Sequence, residues 1–183
     1  MARVDEALGA LPEGRAAVML RAKKLGAAAL FEAATALVAV TRARGAKLIV
    51  NDRADVALAV GADGVHLPSR GIPVKQARRW LGGRLIGAST HSMEEAQMAW
   101  RGGADYVVYG PVWATDGKGP AVGIEALAAM VRAAPVPVFA LGGVDADRAR
   151  QCVAVGARVA CIGAVLGRRD AAAGARALGA AIG

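Results

Sequence analysis

The 183-residue sequence has few aromatic residues and no long hydrophobic run. Its three Trp, two Tyr and two Phe residues indicate a core that is mostly aliphatic. No apolar run approaches the roughly 18 residues that a membrane-spanning helix needs. The amino-terminal segment carries acidic residues and lacks the apolar region of a signal peptide. These absences predict a cytoplasmic protein that has no membrane partner.

Residues that build disulfides and structural zinc sites are also scarce. The two cysteines, Cys152 and Cys161, lie in apolar segments, and the chain has two histidines and no Cys-x-x-Cys pair. We therefore expect small, reduced core cysteines and no structural zinc site.

The charge of the chain is strongly basic, with a formal net charge of +8. The arginines are scattered, and no basic stripe with interleaved aromatic residues is present, which argues against a nucleic-acid partner. A basic surface attracts small phosphorylated substrates. The alternative is a solvated basic surface without a specific ligand.

Short apolar runs alternate with helix-compatible segments along the whole chain. In Lys47–Leu67 an apolar run ends at Asn51-Asp52, a helix-compatible segment follows, and a second run passes through His66. Connections are short and no linker interrupts them. This alternation predicts a parallel α/β sheet and a single domain over residues 1–183.

Seven strands and eight helices are predicted. The strands are Ala16–Leu20, Lys47–Asn51, Gly64–Leu67, Leu85–Ser89, Tyr106–Val112, Val136–Leu141 and Arg158–Ile162. The helices are Val4–Leu11, Ala27–Arg44, Arg53–Val60, Pro73–Leu81, Ser92–Trp100, Gly123–Ala133, Asp145–Val155 and Ala164–Ile182. Polar or glycine motifs follow nearly every strand, which favours a TIM (β/α)8 barrel that lacks its first strand or is truncated there. An open doubly wound sheet, with its site at one switch point, is the alternative.

Six motifs, in order and nearly in register, resemble the thiamine-phosphate synthase / thiazole tautomerase family. They are VMLRAK (18–23), LIVNDRADVAL (48–58), GADGVHLP (61–68), IGASTHSMEEA (86–96), GADYVVYGPVWATDGK (103–118) and VFALGGVDADRARQCVAVGARVACIGAV (138–165). The resemblance implies a barrel with its site at the strand carboxyl ends. It also implies a transferase of thiamine biosynthesis, which uses Mg2+ and joins hydroxymethylpyrimidine pyrophosphate to a thiazole phosphate with loss of pyrophosphate.

The resemblance further implies roles for individual residues. The catalytic set is Arg21, Lys23, Ser89 and Lys118. The substrate-binding set is Asn51, Thr115, Gly142, Gly143 and Gly163. The magnesium ligand is Asp52.

The chemistry of these residue types agrees with those roles. Paired cations at a strand end suit a phosphate, a carboxylate suits magnesium, and glycines at the last two strand ends let backbone amides approach a phosphate. Other interpretations stay open, because Arg21 and Lys23 also suit a solvated pair and Asp52 also suits a helix cap. His66 and His91 are predicted to be structural.

The sequence departs from the family pattern at three site positions. Met19, Gly71 and Gly117 stand where the resemblance implies Gln, the second magnesium carboxylate and Thr, and Arg70 adds a cation beside Gly71. The departures leave two alternatives, a thiazole tautomerase-like isomerase and a non-catalytic paralogue that binds thiazole or thiamine phosphate. Pro111 matches the synthases, because tautomerases carry His there.

The absent first strand carries its own expectation. Either the chain starts late or a neighbouring chain covers the gap, because an open barrel exposes sheet edges that invite pairing. A homo-oligomer or poor solubility is therefore predicted.

Overall fold

The computed structural model describes residues 1–115, 117 and 119–183. Strands and helices alternate through these residues. The strands are β1 (Ala17–Leu20), β2 (Lys47–Asn51), β3 (Gly64–Leu67), β4 (Leu85–Thr90), β5 (Tyr106–Tyr109), β6 (Val138–Ala140) and β7 (Arg158–Val159). The helices are α1 (Ala2–Gly9), α2 (Ala27–Ala43), α3 (Ala54–Val60), α4 (Val74–Leu81), α5 (Met93–Arg101), α6 (Gly123–Ala133), α7 (Ala146–Ala154) and α8 (Ala171–Ile182).

The sheet is parallel throughout, and its strands lie side by side in chain order from β1 to β7. A doubly wound sheet reverses its strand order at a switch point, and this sheet does not. The prediction of a TIM-type α/β fold with one strand fewer than eight is therefore confirmed. Within the described residues, no backbone ladder joins β7 to β1, so the curled sheet stays open there.

Aliphatic side chains form the core, as the composition predicts. Fully buried residues on the strands include Leu48, Val50, Val65 and Ile86, which pack against the surrounding helices. Burial of each such side chain contributes about 1.5–3 kcal/mol. A smaller cluster packs α1 against α8 near the open side of the sheet.

A Gly-Ala-Asp connection precedes both β3 and β5. The Asp63 carboxylate accepts a hydrogen bond from the Leu48 amide at 2.8 Å, and the Asp105 carboxylate accepts one from the Ile86 amide at 2.7 Å. Each aspartate therefore satisfies the backbone of the preceding strand. This repeated contact holds the amino-terminal side of the sheet, opposite the predicted site.

Side-chain caps at Ser92 and Asp145 begin α5 and α7. The Ser92 hydroxyl accepts from the Glu95 amide at 3.2 Å, and the Asp145 carboxylate accepts from the Arg148 amide at 2.9 Å. The Glu95 carboxylate in turn accepts from the His91 amide at 2.7 Å. Reciprocal bonds of this type fix the start of α5.

The end of the chain differs from the prediction. The last helix begins at Ala171 and not at Ala164, because the Asp170 carboxylate accepts from the Ala173 amide and caps it there. Residues 162–168 form consecutive turns instead. The last strand is also shorter than predicted, and ends at Val159.

Two observations bear on other predictions. Cys152 is buried and Cys161 is partly buried, neither is in a disulfide, and burial raises the pKa of Cys152 to about 11. In the part of the chain that the structure describes, none of the helices has the length and apolar character that crossing a membrane requires.

Candidate active site

A cavity of about 250 Å³ lies at the carboxyl ends of the strands. Its lining includes three cationic residues, Arg21, Lys23 and Arg70, and none of the described acidic residues. Ser89 from β4 and Gly142 after β6 also line it. Because parallel strands all end at the same edge, residues distant in the sequence meet here. The structure thus brings together four of the predicted site residues.

A second cavity, of about 330 Å³, adjoins the ends of β1 and β2. Asn51, Asp52 and Arg53 line it, together with Lys23. Lys23 therefore contributes to both cavities. The first cavity, called the cation-lined cavity below, and the second cavity thus share Lys23 as a lining residue. Asn51 and Asp52, two further predicted site residues, line the second cavity beside it.

Asp52 occupies an unusual backbone conformation. Its φ is +68°, and the Arg53 amide donates to the Asn51 carbonyl at 2.9 Å across it, as in a γ-turn. The Asp52 amide donates to the His66 carbonyl at 2.9 Å. Non-glycine residues adopt such conformations at a cost, and they concentrate at functional sites.

The Asp52 carboxylate does not cap the following helix. α3 begins at Ala54, its cap residue is Arg53, and no side chain accepts a hydrogen bond at this cap. The interpretation of Asp52 as a helix cap is therefore wrong. The carboxylate is exposed and faces the second cavity, where a ligand can reach it.

The oxygen donors around Asp52 suit magnesium in one binding mode. Asp52 is the one carboxylate among the described residues that line the two cavities, and the described residues contain no group of three potential metal ligands. Magnesium is commonly held through one or two carboxylates, with water and substrate phosphate oxygens completing the octahedron. Asp52 fits that mode, whereas a cage made only of protein ligands is not built here.

Ser89 is held in place by a buried histidine. The Nε2 atom of His66 lies 2.8 Å from the Ser89 hydroxyl, and the His66 ring stacks on Tyr106 with centroids 5.9 Å apart. Burial, with a smaller effect of the Arg21 charge, lowers the pKa of His66 to about 4. His66 is therefore neutral at physiological pH. Its Nδ1 atom has no hydrogen-bond partner among the described residues.

His91 joins two neighbouring strand ends. Its Nδ1 lies 2.6 Å from the Gly110 carbonyl oxygen, so Nδ1 carries a proton and donates it to that carbonyl. His91 also lines the cation-lined cavity. The contact ties the end of β4 to the end of β5, in agreement with the structural role predicted for His91.

The Gly142-Gly143 turn requires glycine at both positions. Their φ values are +98° and +67°. A Cβ at Gly142 would lie 2.5 Å from Cβ of Pro111, and one at Gly143 would lie 2.9 Å from Cβ of Trp113. Among the described residues, neither glycine amide donates a hydrogen bond. Consecutive amides without a partner form an anion-binding concavity.

Arg148 supports this turn, and the sequence analysis missed it. Its Nη1 donates to the Gly143 carbonyl at 2.7 Å, and its guanidinium lies over the Trp113 ring, 5.2 Å from the centroid. The contacts join the glycine turn to the loop that begins at Trp113. The Asp145 cap three residues earlier is the signal that could have located Arg148, because a cap fixes the first turn of α7 against the glycines.

Among the described residues, three predicted site residues, Gly143, Thr115 and Gly163, line neither cavity. The Thr115 hydroxyl donates to the Trp113 carbonyl at 3.0 Å, within its own loop. Gly163 is exposed in the turns after β7, and a Cβ there would meet no atom within 4 Å. Lys118 lies outside the described residues.

Comparison with known proteins places the chain in a family. The profile described as thiamine monophosphate synthase matches residues 2–165. The chain belongs to the thiamine monophosphate synthase family. Members of this family are transferase-type enzymes of thiamine biosynthesis, which confirms the predicted class of function.

Individual relatives agree with this assignment. The putative thiamine-phosphate synthase of Geobacter sulfurreducens is 46% identical over 175 residues, covering 93% of this chain and 82% of the relative. The thiamine-phosphate synthase of Moorella thermoacetica is 43% identical over 175 residues, covering 93% of this chain and 83% of the relative. The structure of thiamine phosphate pyrophosphorylase from Pyrococcus furiosus superposes with a TM-score of 0.91 at 36% identity, covering 99% of this chain and 88% of that one.

Proposed function

We propose that this member of the thiamine monophosphate synthase family joins hydroxymethylpyrimidine pyrophosphate to a thiazole phosphate, releasing pyrophosphate. The observation that carries the proposal is the cavity at the strand ends, which collects three cations and none of the described acidic residues. Such a cavity stabilises the negative charge that develops on a departing pyrophosphate. Asp52 lines the second cavity, which shares Lys23 with the cation-lined cavity.

The reaction exchanges one carbon–oxygen bond for one carbon–nitrogen bond. The bond between the pyrimidine methylene carbon and the pyrophosphate oxygen breaks, and its electron pair leaves with the pyrophosphate. The ring nitrogen of the thiazole then donates its lone pair to the cationic methylene carbon. The products are thiamine phosphate and pyrophosphate, so atoms and electrons balance without an oxidant or reductant.

The basic residues and Ser89 act on the leaving group in this proposal. Arg21 and Lys23 neutralise its charge, and Lys118 is assigned the same role. The Ser89 hydroxyl donates to a pyrophosphate oxygen while neutral His66 fixes its orientation from 2.8 Å. Charge-assisted hydrogen bonds of this kind are about twice as strong as neutral ones.

Asp52 is the residue that would hold Mg2+. When bound, magnesium supplies positive charge to the phosphate oxygens and orients them for departure. Asn51 lies beside Asp52 in the second cavity and contributes an amide to substrate binding. The strained turn at Asp52 places its carboxylate before substrate arrives, which avoids a reorganisation cost.

The glycine turns bind the second substrate in this proposal. The free amides of Gly142 and Gly143 hold the thiazole phosphate, and Gly163 adds a third amide from the turn after β7. Phosphate groups occupy the corresponding position, after the last two strands, in many barrels of this type. Thr115 contacts the phosphates from the loop above.

The direct test is synthesis by the purified protein. Both substrates are mixed with the full chain and Mg2+, and thiamine phosphate is measured by mass spectrometry. Formation of thiamine phosphate, with pyrophosphate in equal amount, is expected. Absence of product with a folded protein would overturn the synthase proposal.

Calorimetric titration then separates the two alternatives. A tautomerase-like isomerase would bind thiazole phosphate and not the pyrimidine pyrophosphate, and would exchange a ring proton for solvent deuterium. A non-catalytic paralogue would bind thiazole phosphate or thiamine phosphate without any exchange. The synthase proposal predicts that both substrates bind separately.

The remaining proposals concern the setting of the enzyme. Its substrates are charged, so we place it in the cytoplasm, where fractionation should recover it.

We also propose self-association through the open sheet, since Met19 on β1 and Ile162 after β7 expose apolar side chains at the two free edges. A monomer by light scattering at micromolar concentration would contradict self-association.

A further inference from the structure

Arg70 is a cation of the cavity that no protein contact explains. Its side chain makes no hydrogen bond and no ion pair with any described residue, yet it lines the cavity together with Arg21 and Lys23. Arg21 and Lys23 likewise make no side-chain hydrogen bond or ion pair with a described residue, whereas Ser89 is bonded to His66. Arg70 is also exposed, so its guanidinium is accessible to a ligand at the cavity.

A tight turn places Arg70 there. It directly follows β3, and the Gly71 amide donates to the Pro68 carbonyl at 2.9 Å. A Cβ at Gly71 would lie 3.0 Å from both Cγ and Cδ of Pro68 and 3.1 Å from its carbonyl oxygen. Pro68 and Gly71 therefore fit each other closely. In this turn a carboxylate at position 71 is crowded, while Arg70 projects at the rim of the cavity.

The charge of the cavity is uncompensated by its own lining. Arg21, Lys23 and Arg70 line it, and no acidic residue of the described chain does. The field of Arg21, which follows β1, reaches β3 two strands away, where it contributes to the lowered pKa of His66. Cations gathered in this way repel one another until a polyanion binds between them. A group with several negative oxygens relieves that repulsion more fully than a single phosphate does.

We infer that Arg70 is a third pyrophosphate-binding residue, and that Arg21, Lys23 and Arg70 together bind the diphosphate group in the absence of a divalent cation. The inference rests on the proposed function and names the ligand chemistry of the same site. Arginine presents a planar fork of donors that matches two phosphate oxygens at once. Asp52 and Lys23 both line the second cavity. A metal ion bound at Asp52 would therefore strengthen diphosphate binding, but the three cations do not require it.

Calorimetry with inorganic pyrophosphate tests the inference on the full chain. Titrations are run in excess EDTA and again with Mg2+, on the unchanged protein and on Arg70→Gln, Arg70→Lys and Arg79→Gln. Arg79 is an exposed cation of α4 that lines neither cavity, and it serves as the matched control. Circular dichroism and thermal unfolding of each variant check that it folds.

The expected results are specific. The unchanged protein binds pyrophosphate in EDTA, and Arg70→Gln weakens this binding about tenfold or more. Arg70→Lys recovers part of the lost affinity, because it keeps the charge. Arg79→Gln has no effect. Orthophosphate binds at least about tenfold more weakly than pyrophosphate, since it spans fewer cations.

Three outcomes would overturn the inference. They are binding that requires Mg2+, binding in EDTA that Arg70→Gln leaves unchanged, and equal affinity for orthophosphate. In each of these cases the synthesis assay can still succeed, so the proposed function stands or fails separately. Loss of pyrophosphate binding under both conditions, together with failed synthesis, would overturn both.

Discussion

At the scale of single residues, the backbone at Asp52 and the buried ring of His66 are the least ordinary features. Asp52 has a positive φ, and its carboxylate lies at a cavity instead of capping a helix. His66 is neutral and buried, and it contacts a hydroxyl that lines the other cavity. The backbone conformation of Asp52 and the burial of the His66 ring both cost free energy of folding. Packing alone does not require either of them, which is consistent with a role in the site.

Substitution of Asp52 by Asn should lower kcat by about a hundredfold or more, because it removes the negative charge that we propose holds magnesium. Asn tolerates positive φ well, so the turn should survive and unfolding should change little. Steady-state kinetics at saturating substrates, with Mg2+ varied, measures the effect. Asp147→Asn, on the exposed surface of α7, is the control and should retain full activity. Equal kcat in the two variants would contradict the role of Asp52.

The neutral state of His66 makes the folded protein sensitive to acid. Its pKa in the folded state is about 4, below the value of 6.5 for an exposed histidine, so the unfolded chain binds a proton first as the pH falls. Stability is therefore lost between about pH 6.5 and pH 4, by roughly 3 kcal/mol from this residue alone.

Urea unfolding across this pH range measures the loss. In His66→Asn the loss of stability between pH 6.5 and pH 4 that His66 causes should be absent. The stability of this variant at pH 7 should be lower than that of the unchanged protein, because the packing against Tyr106 is removed. His91→Asn keeps His66 and should retain the pH slope. Identical slopes in all three proteins would show that His66 does not titrate in this way.

At the scale of elements, the strand ends are joined to one another by hydrogen bonds between neighbours. Asp52 donates through its amide to His66, His66 contacts Ser89, and His91 donates to Gly110. The chain of contacts runs across β2, β3, β4 and the end of β5. Such links hold the site before substrate binds, which is the condition for electrostatic stabilisation of a transition state.

The glycine turn after β6 gives the clearest prediction at this scale. Gly142→Ala should weaken the binding of thiazole phosphate by about tenfold or more and destabilise the fold by roughly 1–3 kcal/mol. The reasons are its φ of +98° and the 2.5 Å approach that a Cβ would make to Pro111. Calorimetry and thermal unfolding measure the two effects.

Gly83→Ala is the matched control for this substitution. Gly83 is exposed, its φ is not in the left-handed region, and a Cβ there meets no atom within 4 Å. The control should bind thiazole phosphate normally and unfold at an unchanged temperature. If Gly142→Ala behaves like Gly83→Ala, the turn is not the phosphate site.

At the scale of the whole molecule, the excess of 23 basic over 15 acidic residues governs the approach of anionic substrates. The cavity gathers part of this charge at one edge of the sheet. Its field extends into solvent over a distance that salt controls. The Debye length falls from about 10 Å at 0.1 M salt to about 3 Å at 1 M salt.

Raising the sodium chloride concentration over this range should therefore lower kcat/KM for the pyrimidine pyrophosphate by about tenfold or more. The value of kcat should change much less, because the bound substrate is partly shielded from the salt. Thermal unfolding at each salt concentration checks that the fold is intact. An unchanged kcat/KM would mean that long-range charge does not guide this substrate.

Much of the fold follows from local patterns in the sequence. Alternating apolar and amphipathic segments predicted the β3 strand and the α6 helix with the bounds that the structure has, because buried parallel strands are uninterrupted apolar runs. The start of α8 was not predicted. Residues 164–170 contain no proline and could continue into the helix, but the Asp170 cap fixes the start of α8 at Ala171.

The residues at strand ends could also be predicted, since every strand of a parallel sheet ends at the same edge. Arg21, Ser89 and Gly142 were expected together on that ground, and they line one cavity. The open side of the sheet, the place of Lys23 in both cavities and the roles of Arg70 and Arg148 required the tertiary structure. Those contacts join residues that are far apart in the chain, and periodicity carries no information about which side chains meet across a turn.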